Sequence, residues 1–150
     1  MSTSSSLTAF EEVYLEFQRK VSGEWHKRLD RLVSGSQANI LWCLHYDGPQ
    51  SVSRLAASMD ITPGAVTGLS DKLISSGYAV RRKNEQDRRV VYLDITPEGR
   101  VALEQFRQEM KQIVDKFFAG VPEQDLEHLV RIFRQVLVNI EQMKMEDTAW

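Results

Sequence analysis

The sequence predicts a mainly α-helical protein of the α+β class, in which a tight two-helix motif and a β-hairpin are flanked by long helices from both ends of the chain. Two patterns carry this. Apolar residues recur at steps of three and four over most of the length. Midway, two β-prone runs, Ala79 to Arg82 and Arg88 to Ile95, enclose a polar loop from Lys83 to Asp87.

Met1 to Ser6 is serine-rich with nothing to bury, and reads as disordered. Thr8 and Glu11 form a capping box at the head of a long helix. Phe10, Tyr14, Phe17, Val21, Trp25, Leu29 and Leu32 then hold one helical face for about six turns. Ser34 and Gln37 make a second capping box, opening a helix through Ile40, Leu41 and Leu44 that ends near Asp47-Gly48-Pro49.

Ser51 caps the next helix. Ala56, Asp60 and Val66 stand where two short helices at a tight turn need a small residue, a residue tolerant of positive φ, and an apolar anchor. Thr62 caps the second helix of this pair, and Pro63 fits its first turn, where an N–H would go unpaired anyway. Val66, Leu69 and Leu73 give it a buried face and leave Ala65, Thr67, Gly68 and Lys72 outward. An exposed helix of small and polar residues can lie close to a DNA groove. Gly77 ends it, and the β-prone runs follow as a hairpin wing.

Thr96 and Pro97 start another helix, whose Leu103, Phe106, Met110, Ile113 and Phe117 repeat the three-and-four spacing as far as Gly120. Pro122 restarts the chain, and Leu126, Leu129, Phe133, Val136, Ile140 and Met143 mark a last helix. The flanking helices carry more apolar side chains than one winged module can cover, which predicts dimerisation helices at both ends. The chain thus divides into a DNA-binding winged helix-turn-helix over about 51–100 and dimerisation helices over about 8–33 and 97–146, within a single domain of 1–150.

Composition narrows the function. With 42% apolar and 27% charged residues, the chain has a soluble globular composition. Its longest purely apolar run, Ile40 to Leu44, is far below the roughly 20 residues a membrane span needs, so a cytoplasmic protein without membrane contact is expected. The single cysteine cannot form an internal disulfide. The sequence contains no Gly-rich phosphate loop, no G-x-S-x-G and no H-E-x-x-H, which argues against an enzyme, and His26, His45 and His128 are too scattered for a metal site. No catalytic residue and no cofactor is expected. A pI near 5.9 disfavours indiscriminate nucleic-acid binding. Between Lys72 and Arg89, however, six cations (Lys72, Arg81, Arg82, Lys83, Arg88, Arg89) face only Glu85 and Asp87. The positive charge is placed, not spread.

The order Gln37, Leu55-Ala56, Thr62-Pro63-Gly64-Ala65-Val66-Thr67, Asp71-Lys72-Leu73, Gly77, Arg81-Arg82, Asp87-Arg88-Arg89 and Leu93-Asp94-Ile95-Thr96-Pro97-Glu98-Gly99 resembles the MarR family of bacterial winged-helix transcriptional regulators. The likeness covers nearly the whole chain, and the D-x-R of the wing followed by L-x-[LI]-T-x-x-G is its most specific part. It implies a homodimeric repressor, occasionally an activator, that binds double-stranded DNA and is often released by a small aromatic ligand; the two-fold symmetry of such a dimer predicts a palindromic operator. Gly64 and Gly68 depart from the family, which commonly carries bulkier polar or basic side chains there.

On this reading the DNA-binding residues are Ser51, Thr62, Ala65, Thr67, Gly68, Lys72, Arg81, Arg82, Asp87, Arg88 and Arg89. The resemblance puts Arg89 at the wing tip, in the minor groove, with Asp87 orienting it through a charge-assisted hydrogen bond. It also places a ligand cleft between the dimerisation helices and the winged motif, for which Trp25, Trp42 and His45 are the candidate contacts. Cys43, with apolar sequence neighbours, reads as a buried small hydrophobe; a redox-sensing repressor built on it is one alternative. A winged-helix module for protein–protein contact, its basic wing docking on an acidic partner, is another.

Overall fold

The structure is a computed structural model that describes residues 3–29 and 33–149. The expected disorder of Met1 and Ser2 and the apolar step at Leu32 lie outside the described residues. The elements are α1 (Thr3–Leu29), α2 (Gly35–Asp47), α3 (Val52–Met59), α4 (Pro63–Ser75), β1 (Ala79–Lys83), β2 (Val91–Ile95), α5 (Pro97–Phe117) and α6 (Glu123–Asp147). They form two compact units, Met1–Lys111 and Gln112–Trp150, each described by itself.

Helix starts follow the local chemistry of their caps. Ser34 accepts from the Gln37 N–H at 3.2 Å while Gln37 Oε1 accepts from the Ser34 N–H at 2.8 Å, closing the expected capping box of α2. Ser51 accepts from the Arg54 N–H on α3, and Thr62 from the Ala65 N–H on α4, with Pro63 first in that helix. The head of α1 differs from expectation. The helix begins at Thr3, so Thr8 and Glu11 lie inside it instead of capping it, and Ser4 to Ser6 are helical. Once a helix is nucleated, each added residue gains a hydrogen bond, and Ser or Thr costs only a few tenths of a kcal/mol.

In the first unit, α3 and α4 pack on each other and on α2, and α4 also packs on β1. Asp60 adopts φ 59° at the end of α3 and donates its N–H to the Ala56 carbonyl, which turns the chain sharply into α4. Val66 and Leu73 of α4 are fully buried with Ile40, Leu41, Leu44 and Leu55; Leu69 is half-buried. Ser70 also lies in this core, one turn after Val66, where sequence spacing had pointed only to apolar residues. At the end of α4, Gly77 takes φ 78° and donates to the Ile74 carbonyl while Tyr78 donates to Leu73, a Schellman closure.

β1 and β2 pair antiparallel with Ala79 opposite Ile95 and Lys83 opposite Val91. Gln50 adds a short third rung, its N–H and carbonyl both bonded to Leu93 at 3.0 and 2.8 Å. Thr96 then ties the hairpin back: its hydroxyl donates to the Gly77 carbonyl, and it accepts from the Gly99 N–H at 3.0 Å at the head of α5.

The second unit holds the end of α5, a turn at Gly120 with φ 82°, and α6. Pro122 starts α6 by accepting from the Asp125 and Leu126 N–H groups. No residue of α6 is buried, and Phe133, Val136, Ile140 and Met143 of the expected stripe all stand exposed. No helix among the described residues is long and apolar enough to cross a membrane.

Candidate nucleic-acid interface

Helix α4 is buried along one side and leaves Thr62, Ala65, Thr67, Gly68, Asp71 and Lys72 exposed. Thr67 turns its hydroxyl back onto the Pro63 carbonyl at 3.0 Å. A Cβ on Gly64 or Gly68 would meet nothing within 4 Å, so the fold itself does not require glycine at either place. Ser51, half-buried, is occupied as the cap of α3.

The wing departs from its expected outline at the tip. Arg88 and Arg89 were expected to open the second strand, but they form a turn, and β2 starts at Val91. The reason is local competition for hydrogen bonds. The Asp87 carbonyl accepts from the Val90 N–H at 3.0 Å, and the Asp87 carboxylate accepts from both the N–H and the Nε of Arg89 at 3.1 and 3.2 Å. Asp87 therefore builds the turn and orients Arg89, whose side chain is 92% exposed. Asn84 closes the base of the loop, donating to the Tyr92 hydroxyl at 3.3 Å and accepting from the Gln86 N–H.

The cations fall into two groups. Arg82 Nε bonds Asp94 Oδ2 at 3.1 Å, and Arg81 Nη2 bonds Asp71 Oδ1. Lys72, Lys83 and Arg88 make no ion pair among the described residues. Spacing along the chain gave no hint of the Asp71 and Asp94 pairings, because each carboxylate reaches an arginine of another element. That Asp71 shares the outward face with Gly68 and Lys72 was the available signal.

Away from the wing, a cavity of about 420 Å³ opens between the end of α1, the start of α2 and α5. It is lined by Ser22, Trp25, His26, Leu29, Ser34, Gly35, Ser36, Asn39, Phe106 and Met110. Of the three expected ligand contacts only Trp25 lines it. Trp42 instead packs on Tyr46 at 4.4 Å and under the Arg107 guanidinium at 4.6 Å, while His45 meets the Tyr46 ring edge-on. Arg107 Nη1 also donates to the Tyr46 hydroxyl at 3.4 Å. Cys43 is half-buried and not enclosed as its sequence neighbours suggested, because it lies at the edge of the buried face of α2, between the buried Ile40 and Leu44 and the exposed Trp42 and Tyr46. No group of His, Cys, Asp and Glu able to hold a metal occurs among the described residues.

The sequence model described as the MarR family matches residues 33–91, which span α2 to the start of β2 and contain the helix pair and the wing tip. Over these residues the chain is similar to the MarR family. The chain is 31% identical over 94 residues to the HTH-type transcriptional repressor MdtR of Bacillus subtilis, covering 63% of this chain and 61% of MdtR. It is 24% identical over 118 residues to the HTH-type transcriptional regulator YpoP of the same organism, covering 79% of this chain and 84% of YpoP. Its fold matches the transcriptional regulator BldR of Sulfolobus solfataricus with a TM-score of 0.73 at 26% identity, covering 87% of this chain and 94% of BldR. The protein is a MarR-type transcriptional regulator of the winged-helix fold and not an enzyme.

Proposed function

We propose that this MarR-type regulator is a cytoplasmic homodimeric repressor that grips a palindromic operator with α4 and the wing and releases it when a small aromatic or phenolic molecule binds. The observation that carries the DNA reading is the pairing of an exposed α4 surface of small and polar side chains with a hairpin whose tip displays Arg88 and Arg89. Small side chains let a helix seat deeply in the major groove, and an arginine at a wing tip reads minor-groove width and potential. Repression in place of activation is supported by the name of MdtR.

Dimerisation is supported by what the single chain leaves uncovered. α1 exposes Leu7, Phe10, Val13 and Leu15, and α6 exposes Phe133, Leu137, Ile140 and Met143. Apolar surface on this scale in a water-soluble chain calls for a cover. A two-fold dimer sets its recognition helices about 34 Å apart, one turn of duplex, which makes the operator an imperfect palindrome.

Ligand control is supported by the cavity, which offers the Trp25 indole for stacking and the His26 imidazole and Asn39 amide for hydrogen bonds. A ligand there releases DNA only through its differential affinity for the two states; about 1.4 kcal/mol of it gives a tenfold effect. The test retains genomic fragments on the purified protein, sequences them, and titrates the enriched duplex with salt and with salicylate-like acids. Salt-dependent binding to a shared palindrome, weakened by such an acid, is the expected result. Binding with no sequence preference defeats the operator reading and favours the acidic-partner alternative; affinity unmoved even twofold by the acids defeats the effector reading.

A further inference from the structure

A carboxylate on a helix surface offered to phosphates is electrostatically out of place, and α4 carries one. Asp71 lies one turn beyond Thr67 and Gly68 and beside Lys72, with its side chain 56% exposed. Its Oδ1 accepts from Nη2 of Arg81 on β1, itself 49% exposed. Exposed pairs of this kind contribute little to folding, so stability is a weak reason for it. The same arrangement recurs along the hairpin, where Arg82 Nε lies 3.1 Å from Asp94 Oδ2 and Arg89 Nε 3.2 Å from Asp87 Oδ1. Three of the six cations between Lys72 and Arg89 thus carry a carboxylate of their own, from α4, from β2 and from the wing turn.

The consequence for nucleic-acid binding follows from counterion release. Every phosphate a protein neutralises adds affinity for duplex of any sequence and steepens the fall of log K with log salt by about 0.9. Useful recognition depends on the ratio of operator to non-operator affinity, which a surplus of uncommitted arginines erodes.

We infer that Asp71 is a positioning residue for DNA recognition: its carboxylate holds the Arg81 guanidinium against α4 and off the phosphate backbone, fixing the first wing strand to the recognition helix and lowering affinity for non-operator duplex. The inference rests on the DNA-binding reading above. It makes Asp71 a determinant of specificity that touches no base.

The test uses the full-length protein and its variants Asp71→Asn, Asp71→Glu, Arg81→Gln and the double Asp71→Asn/Arg81→Gln. Two probes serve, a duplex enriched from a random pool by the wild type and a scrambled duplex of equal composition, read by fluorescence anisotropy from about 50 to 200 mM salt. Asp71→Asn is expected to bind the scrambled duplex about three- to tenfold more tightly, with a salt slope steeper by about 0.9 and a reduced operator preference. Asp71→Glu keeps the wild-type ratio, Arg81→Gln weakens both probes, and the double variant returns towards the wild-type slope. An Asp71→Asn protein with wild-type slope and preference overturns the inference, as does equal weakening on both probes at unchanged slope, the mark of a merely structural role. Arg81→Gln approaches the pair from the other side, so a melting defect in one variant leaves the other to decide. Wild-type protein that binds neither probe in a salt-dependent way sinks the DNA reading itself, and this inference with it.

Discussion

The Thr96 hydroxyl donates to the Gly77 carbonyl at 2.6 Å, joining the first residue of the α5 cap to the residue that closes α4. Through this bond and the Thr96 N–H to Tyr78 carbonyl bond at 3.1 Å, both ends of the hairpin are held at one point, and the wing emerges from α4 in a set direction. Gly99 completes the junction: a Cβ there would overlap the Tyr78 carbonyl oxygen and press on Ile95 Cγ1 at 2.9 Å.

Gly99→Ala is therefore expected to destabilise the protein by about 1–3 kcal/mol, the usual cost of forcing backbone apart in a packed site. Thr96→Val, which removes the cap and the tie together, should cost about 1 kcal/mol. Urea unfolding followed by circular dichroism measures both. A Gly99→Ala protein as stable as wild type would refute the close approach.

Gly64 behaves in the opposite sense. It sits inside a helix with open space where a Cβ would go, so Gly64→Ala should raise stability by about 0.5–1 kcal/mol through helix propensity and a less flexible unfolded chain. Operator affinity should fall in the same variant, since the added methyl stands on the surface we propose to face the groove. A more stable variant with undiminished affinity would show that close approach at Gly64 plays no part in binding.

Ser70 is 1% exposed, and its hydroxyl has no hydrogen-bond partner among the described residues. A buried hydroxyl left unpaired costs about 1–3 kcal/mol. Ser70→Ala should accordingly melt higher than wild type, by several degrees in a domain of this size. A lower melting temperature would mean the hydroxyl is satisfied in solution.

At the wing tip, Arg89→Ala is expected to weaken operator binding by about 1–3 kcal/mol. Lys72→Ala should weaken all duplexes alike and flatten the salt slope by about 0.9. The two variants together separate shape reading from phosphate contact; wild-type affinity in Arg89→Ala would remove the wing from the interface.

Phe133 is 45% exposed in the single chain, in the middle of a helix with no buried residue. Phe133→Asp should abolish the dimer and leave aggregated or unfolded protein, because a charge placed in a buried apolar interface is among the costliest single changes. Light scattering decides. A wild-type protein that is monomeric at micromolar concentration defeats the dimer.

The sequence alone determined the features whose physics acts within a few residues. The Ser34–Gln37 box, the Ser51 and Thr62 caps, the left-handed Asp60 and the glycine stop at Gly77 each join a side chain or a dihedral angle to backbone at most four positions away, so residue type and spacing state them in full. The buried face of α4 was legible for the same reason, through helical periodicity, apart from Ser70. What only the tertiary structure decided is how distant positions are spent. Asp71 and Arg81 are ten residues apart and Tyr46 and Arg107 sixty-one; Gly99 is small because the Tyr78 carbonyl passes over it; Arg88 and Arg89 form a turn because Asp87 takes their backbone out of the ladder. A count of charges along the chain predicts where cations gather. Which of them pair with a carboxylate of the chain itself depends on distances between elements, and those are set when the core closes.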